Sequence, residues 1–316
     1  MNTPSNAIPE SPLESQAVAP VAIPATQRLY WSLRRELWEY RSLYIAPLAV
    51  AGLILVGFLI STVHLADKMR AALALDPMQQ NEAIQQPYQF AEMLLMGTFL
   101  IVAIIYCLDA LYGERRDRSI LFWKSLPVSD VTTVLAKASI PIVVFPLVTF
   151  AITVVTQWIM LLLSTVVLLG SGVSVTALWD HVPLFQMSLR LLDHLVGFHG
   201  LWYAPFYCWL LLVSAWARRA PFLWATLPPF AIGIVEKIAF NTSYFAGMLQ
   251  YRFTGDSETA SFGARSMPVA NSMPMESLTR VLPVHFLFTP GMWIGLAVAA
   301  GFLAAAIRLR RYRDPI

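Results

Sequence analysis

Long stretches without a charged residue limit what this chain can fold into. Residues 44–63, 139–169, 195–217 and 290–307 contain no Asp, Glu, Lys or Arg. Roughly 20 apolar residues in a helix cross the hydrocarbon core of a bilayer. Hydrophobic residues make up 57% of the chain and charged residues 13%, far from the balance of a water-soluble protein. The sequence therefore predicts an all-α membrane protein.

Two further segments are apolar but carry ionisable residues. Residues 90–111 hold Glu92 and Asp109 near their ends, and residues 221–240 hold Glu236, Lys237 and a Pro-Pro pair. With both included, we predict a polytopic domain over residues 43–316. Its six transmembrane helices are expected at about 44–63, 90–111, 139–169, 195–217, 221–240 and 288–307.

The basic residues predict the orientation of these spans, because Lys and Arg close to span ends are retained in the cytoplasm. Fifteen of them lie before the first span, in alternate loops and after the last span, whereas the other loops hold six. Only an even number of spans with both termini in the cytoplasm (N-in/C-in) places every basic loop on one side. Since this pattern accounts for the net charge of +3, the charge does not indicate nucleic acid as a partner.

The N-terminal region divides into two parts. Residues 1–25 are rich in Pro, Ala and Ser without an apolar signal sequence, which predicts a disordered cytoplasmic tail. Residues 26–42 predict an amphipathic interfacial helix that contacts membrane lipids. Its apolar positions are Tyr30, Leu33, Leu37 and Tyr40, and the cations available to lipid headgroups are Arg34, Arg35 and Arg41. This helix is either a simple membrane anchor or a mechanical connector leading into the first span.

The loop over residues 113–137 is more organised than a plain connection. Glu114 and Arg118 have the i,i+4 spacing of an ion pair on a short helix that Pro127 ends. Ser129 is a candidate N-cap for the following helix. One face of the short helix carries Ser119, Phe122, Trp123 and Leu126 at helical spacing. Such a helix either docks a partner subunit or anchors the loop in the membrane interface.

This loop resembles that of ABC-2 type permeases, the membrane subunits of bacterial ABC exporters. The matching residues are Glu114, Arg115 and Arg116, followed by Ser125, Leu126, Pro127, Val128 and Ser129. Where many members of the family have Gly-Thr, this chain has Arg118 and Ser119. The resemblance extends to the amphipathic helix, the six spans, their orientation and a longer external segment before the last span.

The resemblance implies a coupling helix that sits in a cleft of a separate ATP-binding subunit, where ATP-Mg binds and is hydrolysed. It also implies a permease homodimer in the bacterial inner (cytoplasmic) membrane, with a second ATPase contact at the turn over residues 218–221. The residues given the coupling role are Glu114, Arg115, Arg116, Asp117, Arg118, Phe122, Trp123, Leu126, Pro127, Arg218 and Arg219.

No motif of catalysis or metal binding accompanies these features. The sequence has no GxxxxGK[ST] phosphate loop, HExxH, GxSxG or CxxC, and its five histidines lack metal-ligand spacing. We therefore expect no catalytic residue, no metal and no directly bound cofactor. The competing hypotheses are an intramembrane enzyme, a protease or a lipid-modifying enzyme, with Asp109, Asp193 and His194 as its best candidates, and a secondary transporter or membrane scaffold.

Polar and small residues within the spans are further candidates. Gln157 lies near the middle of the third span, where hydrogen bonding to another helix is favoured over contact with a substrate. Gly291, Gly295 and Ala299 form a helix-packing stripe, and Gly301 belongs to a second one. Their partner is either another span or a second copy of the chain. Residues 275–288 form either a surface cap or an external gate.

Overall fold

The computed structural model describes residues 24–125, 128–254 and 289–312, and within these ranges it is helical and contains no strand. The tail over residues 1–23 and the suggested gate over residues 275–288 lie outside them. The α-helices are α1 (Ala25–Glu39), α2 (Ser42–Ser61), α3 (Leu65–Leu73), α4 (Pro77–Asp109), α5 (Tyr112–Arg116), α6 (Ser119–Ser125), α7 (Asp130–Ser139), α8 (Phe145–Gly170), α9 (Val175–His181), α10 (Leu184–Asp193), α11 (Ala204–Trp216), α12 (Pro221–Phe240), α13 (Tyr244–Thr254) and α14 (Pro290–Tyr312).

Five helical stretches are long and apolar enough to cross a membrane. They are Ser42–Leu73, Pro77–Arg116, Asp130–Gly170, Pro221–Phe240 and Pro290–Tyr312. A sixth is present if Val175–Trp202 and Ala204–Trp216, which meet at 47°, form one bent span. The prediction of an all-helical, multi-pass membrane protein is thus confirmed, while the orientation of the spans stays a prediction.

The bundle has two ends that differ in composition. What we call the charged end contains α1, α5 to α7, the end of α11 and the last turns of α14. There the hydroxyl of Ser214 accepts hydrogen bonds from the backbone N–H groups of Leu111 and Tyr112 at 3.0 and 2.8 Å. At the opposite end, Gln85 of α4 donates to the carbonyl of His181 at 2.7 Å.

The third span contains a π-helical segment, Ile140–Val144, between α7 and α8. Pro146 explains it, because proline has no N–H for the carbonyl of Ile142 and its ring would clash with that carbonyl in an α-helix. A Cβ atom on Gly200 would lie 2.7 Å from the Ile142 oxygen, so glycine is required there. Gly200 belongs to a second π-helical segment, His194–Trp202, and the two segments therefore pack together.

The first small-residue stripe of α14 packs within this chain. Ala299 is buried with Ala204 and Cys208 of α11. A Cβ atom on Gly295 would lie 1.5 Å from Nη2 of Arg252, which leaves no room for a side chain while the guanidinium holds its place. Gly301 faces open space, with nothing within 4 Å of its Cβ position. The partner of the first stripe is therefore in the same chain.

Helix α12 lies at the edge of the bundle, and Ala225 is its one buried residue. The pair Pro228-Pro229 does not interrupt the helix. At its far end, the Glu236 carboxylate accepts hydrogen bonds from the backbone N–H groups of Tyr244 and Phe245 at 2.6 and 2.9 Å. Glu236 thus satisfies the first N–H groups of α13, which otherwise lack acceptors.

Candidate functional site

A buried lysine joins three elements at the charged end. Nζ of Lys137, on α7, lies 2.9 and 3.0 Å from the two carboxylate oxygens of Glu36 on α1. It also lies 3.2 Å from Oε1 of Glu114 on α5. The side chains of Lys137 and Glu36 are 0% exposed and that of Glu114 is 1% exposed. These charges are removed from water and must satisfy one another.

Three further residues complete what we call the charge network. Arg310 of α14 donates to Glu114 Oε2 and, at 3.1 Å, to Asp130 Oδ1. Arg35 of α1 contacts Glu36 at 2.6 Å and Glu114 at 3.4 Å. The network therefore joins three cations and three anions across α1, α5, α7 and α14, and the partly exposed Glu39 lies 3.9 Å from Arg35 at its edge. Its members are Arg35, Glu36, Glu114, Asp130, Lys137 and Arg310.

Helix α1 places Glu36 in this network because the residue lies on its apolar face. Leu33, Leu37 and Tyr40 of that face pack against the main core. Tyr106 of α4 donates a hydrogen bond to Glu36 at 3.1 Å. Burial opposes the charge of Arg35, but the carboxylates of Glu36 and Glu114 outweigh it and raise its pKa. Arg35, expected at the lipid headgroups, instead holds α1 to the bundle.

The predicted ion pair between Glu114 and Arg118 is wrong. Arg118 has a φ of 58°, in the left-handed region, and it separates α5 from α6. Glu114 therefore belongs to α5, where its carboxylate faces Lys137 and Arg310. The predicted single helix is two short helices.

Helix α6 has one buried side and one exposed apolar side. Ile120 is 2% exposed, whereas Leu121 and Phe122 are 57% and 60% exposed. The guanidinium of Arg35 lies 4.1 Å from the ring centroid of Trp123, in cation–π contact. Through Trp123, α6 is attached to the charge network. Leu126 and Pro127 lie outside the described residues.

The other basic residues of the loop have different roles. Arg115 is buried and donates to the carbonyls of Ala215 and Ala217 at 2.6 and 3.2 Å, which holds α5 to the end of α11. The remaining residues expected at the partner contact, Arg116, Asp117, Arg118, Arg218 and Arg219, are exposed. Arg116 and Asp117 form an exposed ion pair of 2.9 Å.

Gln157 lies away from the charge network, between α8 and α4. Its Nε2 atom is 3.5 Å from the carbonyl of Tyr88 and 3.4 Å from Oε2 of Glu92. The side chain thus makes the interhelical contact that was favoured from sequence.

Of the residues considered for an intramembrane enzyme, Asp193 and His194 are neighbours where α10 meets the second π-helical segment, and Asp109 lies apart from them. Asp109 accepts a hydrogen bond from Tyr40 at 3.2 Å at the charged end. His194 stacks on Phe198 and lies 4.9 Å from His199, between ring centroids, in the second π-helical segment. Among the described residues, no group of three His, Cys, Asp or Glu is suited to hold a metal ion.

Sequence reasoning missed Glu36, Asp130, Lys137 and Arg310 as parts of a site. For Glu36 a signal exists, because an acidic residue three positions after Leu33 and four before Tyr40 falls on the apolar face of the helix. Lys137 and Arg310 were counted as loop charges. Their burial depends on contacts between residues up to 196 positions apart.

The geometry defines a multi-pass helical membrane protein whose charged end locks four elements together and exposes α6. The chain matches no protein-family model, no curated protein and no solved structure. Its function must therefore be argued from the charge network, from α6 and from the resemblance of the loop.

Proposed function

We propose that this protein is the permease subunit of an ATP-driven ABC exporter and moves a substrate across the bacterial inner membrane. A separate ATPase subunit would bind and hydrolyse ATP-Mg. In this proposal the chain supplies the pathway and receives mechanical force, without a catalytic residue of its own.

The observation that carries the proposal is the combination of exposure and attachment in α6. Leu121 and Phe122 are exposed, whereas Ile120 is buried and Trp123 is held by Arg35. A helix with an exposed apolar surface on a fixed base fits docking into a cleft better than free movement on a membrane surface. Beside it, Arg118 is an exposed cation available to an acidic partner surface, whereas Arg116 is paired with Asp117.

The backbone conformation of Arg118 supports the resemblance of this loop to that of ABC-2 permeases. This residue adopts a φ of 58° at the position where many ABC-2 permeases have glycine. Glycine reaches this region without the steric penalty of a side chain. A common turn between α5 and α6 is therefore a reasonable basis for comparing the two loops.

The charge network provides a route for force. Pressure on α6 would act through Trp123 and Arg35 on α1 and, through Glu114, on α7 and α14. Because α7 continues into α8 and α14 crosses the bundle, movement of α6 would tilt spans as rigid bodies. ATP closure in the partner would thus reach the membrane domain by contact alone.

Orientation and assembly complete the proposal. The excess of basic residues supports a cytoplasmic location for the charged end, on the same side as a cytoplasmic ATPase. On α1, Arg34 lies 5.3 Å from the ring centroids of both Trp31 and Trp38, which are exposed and suited to the membrane interface. The edge helix α12, with Ala225 as its one buried residue, offers an apolar surface for the permease homodimer.

The proposal is tested by purifying the full wild-type chain and, separately, the Phe122→Asp variant from native membranes in mild detergent. We expect the wild-type chain to retain a P-loop ATPase, identified by mass spectrometry, and Phe122→Asp to lose most of it. Val131→Asp, on neighbouring α7, is the matched control because Val131 is also exposed, at 40%. Phe122→Leu should retain the partner, since it keeps an apolar side chain.

Two outcomes would reject the proposal. In the first, repeated purifications give the intact chain without any ATPase. This result would favour an intramembrane enzyme, a secondary transporter or a membrane scaffold. The other is equal retention of the ATPase by wild type and Phe122→Asp, which would place the partner contact elsewhere than on α6. Elution of each variant as a single symmetric peak establishes that it is folded.

A further inference from the structure

A carboxyl group and an amide meet inside the bundle, far from the charge network. Oε2 of Glu92, on α4, lies 3.4 Å from Nε2 of Gln157, on α8. The side chain of Gln157 is 1% exposed and that of Glu92 is partly buried. Glu92 lies about 25 Å along α4 from Asp109 at the charged end, at 1.5 Å per residue. An ionisable group at such a place is costly and calls for a function.

The amide oxygen of Gln157 lacks a hydrogen-bond donor. Oε1 of Gln157 is buried and has no hydrogen-bond partner. It requires a donor, and an ionised carboxylate is only an acceptor. A protonated Glu92 would have one O–H to donate to this oxygen, while Nε2 of Gln157 donates to the other carboxyl oxygen. The two groups would then satisfy each other as a carboxylic acid–amide pair.

The charged surroundings of Glu92 offer its carboxylate a second partner. Arg190 is exposed on α10, and α10 packs against α8. Helix α8 presents the uncharged Gln157, and α2 has no charged residue. Lys68 of α3 and the segment with Asp180 and His181 of α9 pack further along α4, beside Tyr88 and Gln85. Among these charged residues, Arg190 is therefore the cation we assign to the deprotonated state.

A cavity lies between α3, α4 and α8 on the side of the bundle that holds this pair. It has a volume of about 70 Å³, and Lys68, Tyr88 and Ser164 are among its lining residues. The hydroxyl groups of Tyr88 and Ser164 are hydrogen-bonded at 3.3 Å. Tyr88 lies one turn from Glu92 on α4, and Ser164 lies two turns from Gln157 on α8. This volume is sufficient for water, and Lys68, Tyr88 and Ser164 supply polar partners for it near the pair.

We propose that Glu92 and Gln157 form a proton-binding site, in which a proton is held by the acid–amide pair and released when the carboxylate turns to Arg190. Binding adds one proton from solvent to the Glu92 carboxylate, and release returns it to solvent. The site does not depend on an ATPase partner, and it extends the proposed function by a proton-dependent step at the end opposite the charge network.

Labelling with dicyclohexylcarbodiimide tests the site, because this lipophilic reagent reacts with protonated carboxyl groups. The carboxyl O–H adds across a C=N bond of the reagent, and the product rearranges to a stable N-acylurea detected by peptide mass spectrometry. The full chain in liposomes is labelled over a pH series. Glu82 is the matched control, since it lies on the same helix and is exposed.

At pH 7 we expect at least about tenfold more adduct on Glu92 than on Glu82, as one pKa unit of difference in proton affinity would give. Arg190→Gln should extend labelling of Glu92 to higher pH, because the cation that holds the carboxylate is lost. Infrared spectra should lose a carboxylic acid C=O band in Glu92→Gln. Equal labelling of the two carboxyl groups with the same pH dependence, or a band that persists in Glu92→Gln, would overturn the proposal. An unchanged pH dependence in Arg190→Gln would remove Arg190 from it.

Discussion

Lys137→Met is the most direct test of the charge network. The substitution keeps a long side chain but removes the one ammonium group that contacts both Glu36 and Glu114. Both carboxylates are 0–1% exposed, so neither can recover its lost partner from water. Removing one partner of a buried ion pair costs about 3–5 kcal/mol. Because Arg35 and Arg310 remain, we expect a loss near the lower end of this range.

The free energy of unfolding would be measured by SDS titration in mixed micelles, followed by circular dichroism. Arg70→Gln is the control, because Arg70 and Asp67 form an ion pair at 3.0 Å with side chains 59% and 77% exposed. Exposed pairs of this kind contribute about 0–1 kcal/mol. If Lys137→Met cost no more than Arg70→Gln, the network would not be a buried ionic cluster and our reasoning would be refuted.

A double variant separates the loss of attraction from the loss of packing. In Lys137→Met with Glu36→Gln, one buried cation and one buried anion of the network are removed together. We expect this variant to recover part of the stability lost in Lys137→Met, because an uncompensated buried charge is removed. A loss equal to the sum of the two single variants would show that Lys137 and Glu36 are not coupled.

Two further predictions concern the opposite end. Gly295→Ala should destabilise the fold by about 2 kcal/mol, because the new Cβ displaces the Arg252 guanidinium from the carbonyl of Gly291. Gly301→Ala faces open space and should not lower the melting temperature, because alanine is a better helix former than glycine. Glu236→Ala should raise the rate of amide hydrogen exchange in the first turn of α13, whose N–H groups lose their acceptor, and equal exchange rates in wild type and variant would contradict this role.

The spans were predictable from sequence because each depends on local composition. Residues 44–63 and 290–307 are apolar enough by themselves, and no distant contact is needed to recognise them. The division of α5 from α6 was not predictable. The i,i+4 spacing of Glu114 and Arg118 favoured one helix, but the left-handed backbone at Arg118 broke it and the burial of Glu114 redirected its carboxylate.

The charge network was beyond sequence reasoning for a different physical reason. Apart from the adjacent pair Arg35 and Glu36, its contacts join residues separated by 23 to 196 positions, so no helical period reports them. Lys137 also fits the distribution expected of a loop cation near a span end, and burial alone distinguishes it. The acidic residue within the apolar face of α1 was the available signal, and it predicts a buried cation without identifying which one.

The chemistry of the network suggests why evolution would retain ions rather than apolar residues at this place. Well-packed apolar residues often give equal or greater stability than a buried ion pair, so stability alone is a weak explanation. A lysine that must satisfy two carboxylates, one of which must also meet an arginine of α14, permits few alternative alignments of α1, α5, α7 and α14. An apolar interface of the same size could slide by small steps, because dispersion contacts have no direction. In the proposed function, where a partner moves the membrane domain through α6, a fixed alignment would transmit displacement that a sliding interface would absorb.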